Sequence, residues 1–214
     1  GGGSNAVVGS GAIKTIVNHT MAYIDQGAQV NTDANYAGPN QEITIKATDD
    51  SKLAGVSGSG SGGGSGGYGG SLDTTVLVKT VKAYIADDDD EDSIGGAVVN
   101  AAKNIIISAI SNELLISLAA GFAGGGSNGV TGSVSIITST NDIQAYVGKG
   151  ATVMTEGSLA ITATDDLILT VIPCSGGGGG STGVGGSLGV SVVINSVQAY
   201  IGENARVTAL GLGA

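Results

Sequence analysis

The chain has 214 residues, 40 of them glycine, 41% hydrophobic overall but only 3% aromatic, with no tryptophan, two prolines and one cysteine. Its formal net charge of −10 sets 8 basic residues against 18 acidic ones, a balance that repels phosphate backbones and excludes nucleic acid as a natural partner. No apolar run approaches the ~20 residues a membrane helix needs, so no transmembrane segment is expected, and the lone Cys174 excludes an intramolecular disulfide.

Gly1 opens a Gly-Gly-Gly-Ser run that recurs at Gly62, Gly124 and Gly178, each time 22 positions ahead of a tyrosine: Tyr23, Tyr84, Tyr146 and Tyr200. These tyrosines sit in the phrase Ala-Tyr-Ile or Ala-Tyr-Val. Ungapped recurrence of this kind marks a repeat protein. The units are 1–61, 62–123, 124–177 and a partial 178–214, read as one continuous solenoid domain over 1–214. Because the chain starts inside a repeat without an initiator Met, it reads as an internal piece of something longer.

In the first unit, Asn18-His19-Thr20 formally matches a glycosylation acceptor, a weak three-residue signal, and His19 is the sole histidine. Asp33 to Pro39 reads as a loop inserted at a corner of the coil. Ile43-Thr44-Ile45 alternates as a strand does. Ala47-Thr48-Asp49-Asp50, matched by Ala163-Thr164-Asp165-Asp166, suggests a turn, where Asp bonds its own backbone. The Gly/Ser tract from Ser57 to Gly70, with its counterpart Ser175 to Gly186, holds a fixed phase, so it reads as an ordered corner or glycine-rich face rather than a linker.

The second unit carries an insertion at Asp87 to Ile94. Within it Asp87, Asp88, Asp89, Asp90, Glu91 and Asp92 form a candidate Ca²⁺ site, since this cation takes oxygen ligands from short flexible segments. The plainer reading is a solvated negative loop: the glycine at position six and terminal glutamate of an EF-hand are missing, as is the Gly-Gly-x-Gly-x-Asp nonapeptide of calcium-binding β-rolls. Ile105 to Ala120 has helical composition but aligns with strand segments in both neighbouring units, so strand is expected.

The third unit has no insertion and spans 54 residues, Gly124 to Gly178. Val134, Ile136, then Ile143, Ala145 and Val147 alternate with polar neighbours, as does Leu159 to Ala163. Dividing 54 by three gives turns of about 18 residues, so three coils per repeat are expected, each stacked at ~4.8 Å on the last. About eleven coils would then form a rod on the order of 50 Å long. On that spacing the tyrosines would lie about 14 Å apart, too far to stack. The fold class expected is all-β, a parallel β-helix.

In the fourth unit Gly185 to Ala209, together with Gly157 to Ala163 of the third, resembles the repeat region of leukotoxin-like filamentous adhesins. These are large bacterial surface exoproteins related in architecture to filamentous haemagglutinin. The resemblance implies a right-handed parallel β-helix, exported to the bacterial cell surface by a two-partner or autotransporter route and displayed as a shaft. It implies an extracellular structural and adhesive role. The partners would be a host-cell or neighbouring-cell surface ligand, or other copies through self-association into filaments. A Ca²⁺-stabilised extracellular binding module is the alternative, and a solenoid polysaccharide-active enzyme a third. No cofactor other than Ca²⁺ is suggested. No Ser/His/Asp constellation or phosphate loop is present, so the chain reads as a non-enzyme.

Overall fold

A computed structural model describes residues 3–33, 38–86 and 96–212. Among the described residues the regular elements are all strands: β1 (Asn5–Ile24), β2 (Gln29–Val30), β3 (Ile43–Gly63), β4 (Gly66–Ile85), β5 (Val98–Ala101), β6 (Ile105–Gly125), β7 (Asn128–Val147), β8 (Thr152–Thr155), β9 (Leu159–Gly179), β10 (Thr182–Ile201) and β11 (Arg206–Ala209). They form three parallel sheets. The front sheet runs β1-β4-β7-β10, the end sheet β11-β8-β5-β2 and the rear sheet β3-β6-β9. This is the all-β parallel solenoid expected, and Ile105 onward is strand.

The coil count differs from expectation. Asn5 pairs with Gly66, Gly66 with Asn128, and Asn128 with Thr182, so the chain advances one layer per whole repeat. One repeat is therefore one coil, not three. Period-two alternation reports which face a side chain takes but not where a strand stops, and these strands run to 20 and 21 residues. The molecule is a broad blade: each long strand spans about 65 Å, while four layers rise only ~15–20 Å.

Each coil crosses the front, turns a corner, passes the short end sheet and returns along the rear. It then reverses through Gly-Ser into the next coil. The reversing turns stack as well: Ser65 N–H donates to Ser4 O at 2.7 Å, and Ser127 N–H to Ser65 O at 2.9 Å. At the front-to-end corner Gly27, Gly150 and Asn204 occupy the same place with φ of 68°, 69° and 57°. A turn that needs a left-handed residue there explains why only Gly or Asn appears.

Residues 86–97 connect β4 to β5, where 148–151 connect β7 to β8, and 31–42 connect β2 to β3, where 156–158 connect β8 to β9. The expected insertions at Asp33 to Pro39 and Asp87 to Ile94 fall in these connections, and residues 34–37 and 87–94 lie outside the described residues.

The glycine tracts are strand rather than loop. Ser57 to Gly63 closes β3 and Gly66 to Gly70 opens β4. Here the two sheets meet backbone to backbone: a Cβ on Gly67 would collide with Gly124 O, and one on Gly129 with Gly178 O. The apolar core sits at the opposite, wider end. Val81, Ala83, Ile85, Val99, Ile105 and Ile107 are fully buried there, with a smaller cluster of Leu77, Leu115 and Ile137 midway along the blade.

Candidate functional site

Four arrangements bear on function: an internal charged layer, a tyrosine stack, a corner groove and the inserted corners. The internal layer lies between the two apolar clusters. The front sheet brings Asn18, Lys79, Asn141 and Asn195 into one inward column. The rear sheet faces it with Asp49, Ser111 and Asp165 in one column and Ser51, Glu113 and Leu167 in the next. Lys79 is wholly enclosed and reaches Asp49 Oδ1 at 2.7 Å and Glu113 Oε1 at 3.1 Å.

Hydrogen bonds extend from this pair in both directions. Thr20 Oγ1 and Ser51 Oγ donate to Asp49 at 3.0 and 2.7 Å. On the other side Asn141 Nδ2 donates to Glu113 Oε2 at 3.1 Å, and Asn195 Nδ2 to Asp165 Oδ2 at 2.7 Å. Burial alone would raise the Asp49 carboxyl. The hydrogen bonds from Lys79, Ser51 and Thr20, with the lysine's charge, outweigh it and hold the group below its ordinary 3.8.

A second node lies nearer the glycine end. Lys14 Nζ is 3.0 Å from the buried Asp73 carboxylate, which also accepts from Ser117. Gly55 supplies the room: any Cβ there would overlap the Asp73 carboxylate.

The paired aspartates thus lie mid-strand, not in turns. Asp49 and Asp165 are on inward columns, whereas Asp50 and Asp166 are on the outer face, where Asn112 Nδ2 donates to Asp50 Oδ1 at 2.6 Å. Neighbours on opposite faces of a sheet cannot converge on one substrate. A strand tolerates Asp49 inward because Lys79, Ser51 and Thr20 bond its carboxylate, and Asn195 bonds one oxygen of Asp165, whose Oδ1 is buried without a partner. Asn18 and Thr20 also point inward, so the glycosylation pattern is occupied by internal contacts; His19 is outward and exposed.

The tyrosines stack directly, against the spacing argument, because coils and repeats coincide. Tyr23–Tyr84, Tyr84–Tyr146 and Tyr146–Tyr200 have centroids 5.1, 5.0 and 4.9 Å apart, with rings within 7° of parallel. Tyr84 and Tyr146 are buried, flanked by the inward pairs Ala83/Ile85 and Ala145/Val147.

The groove, about 550 Å³, lies where the end sheet turns toward the rear, between Asn31, Asn100, Met154, Thr155, Thr208 and Leu210. Asn31 Nδ2 donates to Asn100 O at 2.9 Å and Asn100 Nδ2 to Asn31 O at 3.1 Å, fixing its floor. Sequence reasoning missed this groove and the charged layer, because both form only when residues one repeat apart become neighbours.

The candidate Ca²⁺ residues Asp87 to Asp92 lie outside the described residues. Among the described residues no group of three or more His, Cys, Asp and Glu side chains is placed to hold a metal ion, and no helix is long and apolar enough to cross a membrane. Comparison with protein-family models, curated proteins and solved structures returns no match.

Proposed function

We propose that the chain is a shaft segment of a large extracellular bacterial surface filament, stiff along its strands and adhesive at its inserted corners. The observation that carries this reading is the register of the long strands. Every coil bonds to the next over 20 or 21 consecutive residues without a bulge, which suits a load-bearing rod more than a moving site. Loops varied at corners of an invariant scaffold are where recognition of a host-cell or neighbouring-cell ligand would reside.

Display of the chain on a non-adherent bacterium tests it. Adhesion to host cells or between bacteria should appear, and should fall when residues 87–94 are excised while the β-sheet circular dichroism is kept. Display without any gain in adhesion sinks the adhesive part of the reading. The second reading, a Ca²⁺-stabilised module, rests on six consecutive carboxylates placed between Ala86 and Gly96. A melting temperature unmoved by both EDTA and millimolar Ca²⁺ would remove it.

A further inference from the structure

The blade is inside-out through its middle. On the front sheet, inward positions between Ser71 and Lys79 include Asp73 and Thr75, and β7 adds Ser133, Ser135, Ser139 and Asn141. The outward positions of the same stretch are apolar or threonine: Leu72, Thr74, Val76 and Val78 on β4, Val134, Ile136, Thr138 and Thr140 on β7. From Tyr68 to Val78 and across the paired positions of β1, β7 and β10, no outward residue carries a charge. On the flanking strands Ile13 is 74% exposed and Leu188 57%. The next charges on this face, Lys82 and Asp142, lie beyond the Val78 column.

The stretch is about 35 Å long and four strands, or ~19 Å, wide, giving roughly 650 Å² of flat projected area. The largest apolar patch on a typical monomer is about 300–600 Å². A stable interface needs about 800 Å² of accessible surface per partner, a figure that a ridged face of this projected size approaches. Each further coil of the same kind would add about 160 Å².

We infer that the outer face of the front sheet is a self-association surface whose occupant is the same face of a second copy. Three properties select a second copy. The area approaches what a dimer needs. The face is uncharged, offering only Thr hydroxyls and the Tyr68 phenol to a sugar or peptide. Its side-chain rows repeat at the ~4.8 Å coil spacing, so the partner whose ridges fit the grooves everywhere is another sheet of the same repeat, packed ~10 Å away. Pairing is lateral, blade against blade, and leaves the strand edges at the coil ends unused. It extends the shaft reading to bundles of shafts, but the association itself does not depend on adhesion.

Sedimentation of the purified 214-residue chain across the micromolar range tests it, beside Thr74→Lys/Thr138→Lys on the front face and Leu118→Lys on the rear outer face. The parent and Leu118→Lys should dimerise alike. The double variant should weaken dimerisation by about a hundredfold or more, since its ammonium groups would be buried without partners.

A nitroxide on Thr138→Cys in a Cys174→Ser background gives a readout independent of the lysine variant's folding. Its spectrum should broaden as copies pair, whereas the same label on native Cys174, on the rear face, should not. A parent that stays monomeric overturns the inference. So does loss of pairing in Leu118→Lys instead, or scattering that shows growth along the coil axis rather than thickening of the blade. Adhesion by displayed cells is a separate measurement, so either idea can fail alone.

Discussion

Lys79 stands where the other three coils carry asparagine, and the rear position that faces it carries Glu113 where coils one and three have Ser51 and Leu167. The lysine and the glutamate thus both belong to coil two, while Asp49 reaches Lys79 from coil one. Breaking a buried pair by removing one partner costs about 3–5 kcal/mol, whereas replacing both is often near neutral. Lys79→Ala should lose stability of that order. Lys79→Asn with Glu113→Ser, which restores coil one's residues but leaves Asp49 without its lysine, should cost less than Lys79→Ala without reaching the parent's stability; denaturant melts of the two singles and the double decide it.

The same site sets an acid limb. Asp49 is depressed below 3.8 by its partners. Its contribution is therefore full above the ordinary carboxylate range and is lost as pH falls through the lower folded value. Stability measured from neutral pH downward should drop in that window, and Lys79→Asn should flatten the drop. An unchanged acid limb in that variant would assign it to other carboxylates.

At the scale of the element, the glycine tracts show what local pattern reveals and what it hides. Their fixed phase argued for order, and they are ordered. That they are hydrogen-bonded strand was hidden, because glycine carries no period-two signal and usually weakens a strand. Here it is required on the face where the sheets touch and in the reversing turns, where Gly126 and Gly180 stack on the turn of the preceding coil. Gly129→Ala should cost about 1–3 kcal/mol, since its Cβ meets the Gly178 and Ala123 carbonyls. Gly132→Ala finds Gly186 O at 3.8 Å, ordinary contact, and should be neutral or stabilising by about 0.4–1 kcal/mol. Equal melting temperatures for the two variants would remove the close-packing argument. Strand type and repeat phase were legible in the same way, from Gly and Tyr landmarks and alternating Val and Ile. Strand length was not. Asp49-Asp50 looks like a turn because Asp in a strand interior is costly unless partnered, and its partner Lys79 lies on another strand, 30 residues along the chain.

For the whole molecule, coils that touch only their neighbours should add stability by increments. Inserting a second copy of residues 124–177 after residue 177 should raise the denaturation midpoint and steepen the transition, read by far-UV circular dichroism. A separate transition for the added unit would show that the coils do not couple. The groove between Asn31 and Leu210 and the apolar front face were beyond reach of the sequence for one reason. Each is a property of columns across coils, and the columns are defined only once one repeat is known to be one coil.

The tyrosine stack has a consequence for observation rather than stability. The chain has no tryptophan and six tyrosines, four of them in the stack. Parallel phenol rings about 5 Å apart couple their electronic transitions. The native chain should therefore show a near-ultraviolet circular dichroism signal that isolated tyrosines lack, together with depolarised tyrosine fluorescence from transfer along the stack. Tyr146→Leu, which splits the stack after two rings, should weaken both more than Tyr68→Leu does. The molecule thus carries an internal optical gauge of whether its coils are in register.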